Sequence, residues 1–293
     1  MKKSLLLLLS FALTACNFVA APTPQPTLTP TPTATAMPTN IPTPAPTLTA
    51  TPPPNGPCDN PLVPLATGNQ WTYRVTTGSG ESLYKLAAVE RQDAANIVIM
   101  VEYTDQKNNI LVHEPVICQD GAIEGYPLFV MNMLFSGYLD QYIKTIRESG
   151  VYAPNHQSLA QNNWGLDWQA VYLTEDPIYL KNPLGGEDLF ILESTEVELS
   201  FQMDGSRESI TTPIGNFPQA LKISQSFSLP MTVPTAGSGG TSGNLTLQTT
   251  QWYEPYVGLL RAQLDSATLS DSGVGFEVPM ESIVELVEFA RGN

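Results

Sequence analysis

The residues in this chain that could carry chemistry are scarce. There are two histidines, His113 and His156, three cysteines, Cys16, Cys58 and Cys118, and two adjacent acidic pairs, Glu175-Asp176 and Glu187-Asp188. Nucleophilic, metal-assisted or phosphate chemistry would need these groups inside a recognisable string. The chain has no G-x-S-x-G elbow, no H-E-x-x-H, no phosphate-binding loop and no Gly-rich dinucleotide turn. His113 lies between Val112 and Glu114 in a predicted strand, where an imidazole is a surface or hydrogen-bonded residue, and His156 lies in a loop. The acidic pairs lack the alternating Asp/Asn loop with glycine that would mark a calcium site, so they read as a solvated acidic face. The two carboxylates of a glycosidase are matched in space rather than in sequence, and nothing here singles out a pair. The expectation is therefore no enzyme, no metal and no cofactor.

The elements that must position any site begin with an address. Lys2 and Lys3 precede an apolar run from Leu5 to Leu13 and then Leu13-Thr14-Ala15-Cys16. That run is too short to cross a hydrocarbon core of roughly 30 Å and reads as the core of an export signal, residues 1–15. A small residue before the cut and a cysteine after it resemble the lipobox of bacterial lipoproteins, which implies diacylglycerol on the Cys16 sulfur. Two or three acyl chains, at roughly 0.8 kcal/mol per buried methylene, make a stable anchor. The membrane, through lipid on Cys16, is thus the first expected partner. The expected location is the extracytoplasmic face of the cell envelope.

Residues 16–57 form a linker. Thirteen prolines interleave with threonine between Pro22 and Pro57, and no charged residue occurs from Ser4 to Pro57. Such a composition cannot bury enough apolar surface to offset its chain entropy, so a disordered, polyproline-like stalk is expected, reaching on the order of 100 Å at roughly 3 Å per residue. Without the signal the chain keeps 11 basic against 28 acidic residues, a net charge of −17. That balance argues against nucleic acid as a partner and against direct binding to anionic headgroups.

Residues 58–293 read as one β-rich domain. Short alternating bursts separated by turn residues recur along it. Trp71, Tyr73 and Val75 share a face before Gly78-Ser79-Gly80, and Val197, Leu199, Phe201 and Met203 alternate with Glu196, Glu198, Ser200 and Gln202. About ten strands follow from this pattern, with a mobile Gly/Ser-rich loop expected over 236–243. From Leu128 to Ile146 apolar residues recur instead at spacings of three and four, which predicts one buried helix, a pair of strands being the alternative. Cys58 and Cys118 are left as an isolated pair in an oxidising compartment and read as a disulfide that stabilises by roughly 4 kcal/mol; a metal site is the weaker reading. Aromatic residues could line a ligand groove. Trp164 and Trp168, in the least regular stretch, join Leu134, Tyr138 and Tyr142 as candidates, whereas Trp71 and Trp252 read as structural.

Five separated strings together resemble a family of largely uncharacterised bacterial surface lipoproteins. They are Cys58-Asp59-Asn60-Pro61-Leu62-Val63-Pro64-Leu65 leading through Gly68 to Trp71-Thr72-Tyr73; Cys118 with Gly121; Gly150-Val151-Tyr152-Ala153-Pro154 continuing to Trp164 and Trp168; Thr212-Pro213-Ile214-Gly215-Asn216-Phe217-Pro218; and Trp252-Tyr253-Glu254-Pro255-Tyr256-Val257-Gly258-Leu259-Leu260. Ala153 stands where that family usually has leucine. The resemblance implies an incomplete β-barrel similar to that of Lol-type lipoprotein carriers, one curved antiparallel sheet wrapped around a helix or plug. It offers no catalytic residues.

The function expected from fold analogy is a non-catalytic binding module for an apolar ligand, a lipid or an acylated molecule. The alternative is a structural or interaction protein meeting an envelope protein, and a surface hydrolase is the third choice. The anchor has its own test. The protein should incorporate labelled palmitate when expressed in a bacterial host, and Cys16→Ser should abolish the label; retained label would place the acyl group elsewhere.

Overall fold

The computed structural model describes residues 58–292 except 94–97, 140, 176, 182–188, 192–194, 236–237 and 272–273. Cys16, the signal and the linker lie outside the described residues. The strands, in chain order, are β1 Gln70–Thr77, β2 Gly80–Asp93, β3 Val98–Asp105, β4 Ile110–Gln119 and β5 Ala122–Glu124. After helix α1, Phe129–Leu134, come β6 Thr145–Gly150, helix α2 His156–Gln161, β7 Gly165–Thr174, β8 Ile178–Leu180 and β9 Leu189–Ile191. The chain ends with β10 Glu196–Asp204, β11 Arg207–Thr212, β12 Gly215–Thr235, β13 Ser238–Glu254, β14 Gly258–Asp271, β15 Val274–Glu277 and β16 Ser282–Ala290.

These strands form one antiparallel sheet in the order β5-β4-β3-β2-β1-β16-β14-β13-β12-β10-β7-β6, with β9 and β11 on β12, β15 on β14 and β8 on β9. The fold is mainly β, a nearly closed barrel with an unsealed seam. Its period-two pattern is the one read from sequence. In β10, Val197, Leu199, Phe201 and Met203 are buried while Glu196, Glu198, Gln202 and Asp204 are exposed. The predicted strands are all present, and the Gly/Ser-rich segment differs from expectation. Residues 238–243 continue β13, pairing with β12 from Val233↔Thr241 onward, because the flanking ladder carries the register through glycines that have no side chain to oppose it.

The seam lies between β5 and β6. Ile123 exchanges backbone hydrogen bonds with the chain just beyond β6: its N–H donates to Ala153 O at 2.9 Å and its carbonyl accepts from Tyr152 N–H at 2.8 Å. Arg147 of β6 meets Glu124 of β5 at 3.1 Å. β5 pairs only Ile117–Gln119 of β4, which leaves the rest of β4 as a sheet edge among the described residues. Pro115 stands on that edge, where a missing N–H costs no ladder bond. The amino-terminal segment fastens the same corner. Cys58 and Cys118 form the disulfide, with Cα atoms 5.4 Å apart. The Asn60 amide donates to Gly121 O at 2.9 Å and to Pro154 O at 2.8 Å, and its carbonyl accepts from Leu62 N–H at 2.8 Å.

The segment 128–146 differs from the nineteen-residue helix its periodicity suggests. α1 is six residues long, every one of them buried, the chain turns over 135–138, and β6 begins at Thr145. Turns replace helix beyond Phe135 because the apolar residues serve an enclosed interior rather than one face, and Gly137 lies against Thr77 and Ser79 with a virtual Cβ only 2.8 Å from their hydroxyls. Buried Asn132 ties this plug together. Its amide donates to Leu128 O at 3.0 Å and Ile143 O at 3.1 Å, and its carbonyl accepts from Ile143 N–H at 2.7 Å. Asn132→Ala should lower unfolding free energy by about 2–3 kcal/mol, since it strands a buried N–H and buried carbonyls. Urea denaturation of the domain reads this, and a loss under half a kcal/mol would show that the plug does not depend on Asn132.

Candidate binding surface

An apolar ligand inside the barrel would need space that the aromatic core occupies. Tyr126 and Phe129 rings meet at 5.1 Å, Tyr126 and Tyr152 at 4.7 Å, Tyr152 and Phe201 at 5.5 Å, and Trp168 stacks on Phe201 at 4.9 Å. The enclosed space beside Phe129, Tyr126 and Tyr152 is about 20 Å³, and that beside Phe135, Leu139 and Leu229 about 10 Å³. Either is near the minimum that one water needs. The side-chain volume of the plug, not its secondary structure, is what fills the barrel.

The five residues nominated for a groove stand in different settings. Leu134 is 1% exposed, inside the plug. Trp168 points inward, its indole N–H donating to Tyr152 O at 3.1 Å. Tyr142 packs on Tyr103 with ring centroids 5.4 Å apart. The Tyr138 hydroxyl accepts from Glu281 N–H at 3.1 Å. Trp164 is on the rim. The other tryptophans are structural: Trp71 donates to Val257 O at 2.6 Å and stacks on Phe289, and Trp252 donates to Glu208 Oε2 at 2.9 Å. His113 Nδ1 lies 3.0 Å from Glu102 Oε1 across β3 and β4. Of the acidic pairs, Asp176, Glu187 and Asp188 lie outside the described residues, and Glu175 N–H donates to Lys144 O at 3.0 Å.

Around Trp164 the fold assembles groups that sequence reasoning did not join. Asn155 caps α2 by accepting from Ser158 N–H at 2.8 Å, and the helix ends with Trp164 N–H on Leu159 O at 2.8 Å. This places His156 edge-on to Trp164, ring centroids 6.0 Å apart, with the Tyr256 ring 6.5 Å from the imidazole. Arg207, just after the β10–β11 turn, lays its guanidinium 5.1 Å over the Trp164 ring and donates from Nη1 to Gln219 O at 3.2 Å. The turn approaches closely because Gly205 has no side chain; a Cβ there would come within 2.9 Å of Asn163 O. Burial holds the half-buried Glu254 carboxyl above its ordinary range, and nearby Arg207 pulls it partly back. Burial also lowers the Arg207 guanidinium, with Glu254 opposing.

Two of these aromatics sit where the backbone favours glycine. Trp164 has φ 60° and Tyr256 φ 62°. Tyr256 occupies the third position of a turn closed by Val257 N–H on Glu254 O at 3.0 Å. With Pro255 before it and φ positive, that turn is type II, whose third residue is normally glycine. A bulky residue in this region costs roughly 1–3 kcal/mol, and such strain concentrates at functional positions. The sequence signal was present in Pro255-Tyr256, a turn-forming pair with tyrosine in the glycine position, but the partners His156, Trp164 and Arg207 come from distant parts of the chain.

Below this rim the outer face of β7, β10, β12 and β13 carries an open trough of about 470 Å³. Ser200, Ser224 and Ser226 are short, while Gln169, Gln202 and Gln248 stand higher, and the difference in side-chain length makes the hollow. The Trp168, Phe201 and Gln225 positions form its floor. Asp167 is the charged residue of its lining, and Gln169 donates to neighbouring Glu198 at 2.9 Å.

No protein-family model and no curated protein matches this chain. Two solved structures align along most of it. One, from Bacteroides fragilis NCTC 9343, described as exported and with a YmcC-like fold, is 13% identical with a TM-score of 0.44, over 79% of this chain and 98% of that one. The other, described as a lipoprotein from Parabacteroides distasonis ATCC 8503, is 19% identical with a TM-score of 0.44, over 78% of this chain and 97% of its own.

The rim charges are checked by titration. Arg207→Met removes the cation that pulls the Glu254 carboxyl down, so a carbon-13 titration of that carboxyl should show its midpoint move further up. An unchanged midpoint would show that the two groups share no field.

Proposed function

We propose that this protein is a lipid-anchored, non-catalytic binding module of the cell envelope that receives its ligand on the outside of its barrel. One contrast among the described residues carries the reading: the outer trough offers about 470 Å³, within the range of roughly 300–1,000 Å³ common for small-ligand sites, while two apolar spaces against the plug offer about 20 and 10 Å³. The apolar ligand suggested by analogy would have to displace the plug, whose residues Phe129, Leu134 and Phe135 are each 1% exposed. The linker's length supports a role at a distance from the membrane.

A protein partner is the second reading. It is favoured by exposed Ile110 and Ile117 on β4, next to the terminal strand β5, and Ile146 on β6 at the seam.

Native mass spectrometry of the domain purified from its host under non-denaturing conditions tests the first reading. The expected spectrum is that of the bare polypeptide, with no shift on adding palmitate or a phospholipid. A stoichiometric lipid retained by the domain, and weakened by Leu134→Trp within the plug, would overturn it.

A further inference from the structure

The trough and the rim have a common chemistry. Glutamine and serine side chains each present both a donor and an acceptor, the combination that matches a hydroxyl-rich, uncharged ligand. The trough lining has Asp167 and no lysine or arginine, in a chain whose net charge is −15, so a polyanion would be repelled. A peptide added as an extra strand would also find no partner there. β10, β12 and β13 are paired on both sides across the trough: Gln202↔Ser224, Ser226↔Gln248 and Gln248↔Ser266 all lie within the ladder. Side chains alone are left to recognise a ligand on that face.

The rim adds what an amide and hydroxyl surface lacks, flat apolar area beside charged hydrogen-bonding groups. Trp164 and Tyr256 both lie against His156, with the Arg207 guanidinium over one face of Trp164 and Glu254 in the same turn as Tyr256. Both aromatics hold left-handed backbone positions, so each is kept where glycine would be relaxed. The two features adjoin in the chain. Asp167 stands at the start of β7, three residues beyond Trp164, and Gln202 leads into the turn that delivers Arg207.

We propose that rim and trough form one track for a neutral oligosaccharide, with sugar-ring faces stacked on Trp164 and Tyr256 and hydroxyls bound by Arg207, Glu254 and the trough's amides and serines. This rests on the reading that the ligand is received outside the barrel.

The test uses the domain against an array of neutral and acidic oligosaccharides, followed by calorimetry with hexamers of glucose, mannose and N-acetylglucosamine and with oligogalacturonate as the acidic counterpart. At least one neutral hexamer should bind, and Tyr256→Gly and Trp164→Gly should each weaken it ten-fold or more. Tyr256→Gly should do so without lowering the melting temperature, because glycine suits its backbone. Gln202→Ala with Gln248→Ala should weaken longer oligomers more than a disaccharide. Binding of no neutral oligosaccharide, preference for oligogalacturonate, or affinity unchanged in both glycine variants would overturn the proposal. Those failures leave the outside-binding reading intact, since that reading is decided separately by lipid occupancy of the barrel.

Discussion

Everything in this domain depends on closing a sheet that has two ends. A curved antiparallel sheet running from β5 to β6 buries its apolar face only if those edges meet, and they meet at one corner. There the Ile123–Ala153 hydrogen bonds, the Arg147–Glu124 pair, the Cys58–Cys118 bridge and the Asn60 amide converge. Asn60 is 1% exposed and satisfies backbone groups from both sides of the seam, so an apolar residue of similar size would leave several buried polar groups without partners. The amino-terminal segment is thereby part of the closure and not an appendage to it.

Closure creates an interior that must then be filled. The plug fills it with aromatic and aliphatic side chains on a chain that is helical for only six residues, with the Asn132 amide standing in for the missing helical bonds. A second buried polar group lies on the inner faces of β12 and β13, where the Tyr253 hydroxyl donates to Gln251 and the Gln251 amide donates to Gln225 and Thr249. Buried polar groups satisfied in this way tie a long hairpin to one register. The interior is therefore a packed core, and recognition falls to the surfaces that packing holds rigid, the rim and the outer trough.

Much of this fold was legible from local pattern. The alternation at Glu196–Asp204, the turn at Gly78-Ser79-Gly80, the aromatic start of β1 and the aromatic end of β13 all report which face of a strand is apolar, and that is a property of neighbours in sequence. The segment 128–146 misled for the same reason. A spacing of three and four marks a chain that is apolar on one side of a helix, yet a chain enclosed on all sides can show the same spacing without being helical. Of the nominated groove residues, Trp164 reached the rim, Leu134 was drawn into the core and Trp168 packs against that core while staying partly exposed.

The sequence by itself determined the charge balance, the cysteine pair, the proline-threonine composition ahead of residue 58 and the strands, because each depends on composition or on short-range periodicity. Only the tertiary structure decided that the plug packs the described interior, that one corner of the seam is bridged at Asn60 and Ile123, and that His156, Trp164, Arg207, Glu254 and Tyr256 share one rim. Those five residues span 100 positions of chain. What brings them together is sheet register and curvature, which are set by the packing of distant strands and leave no mark on any one stretch of sequence.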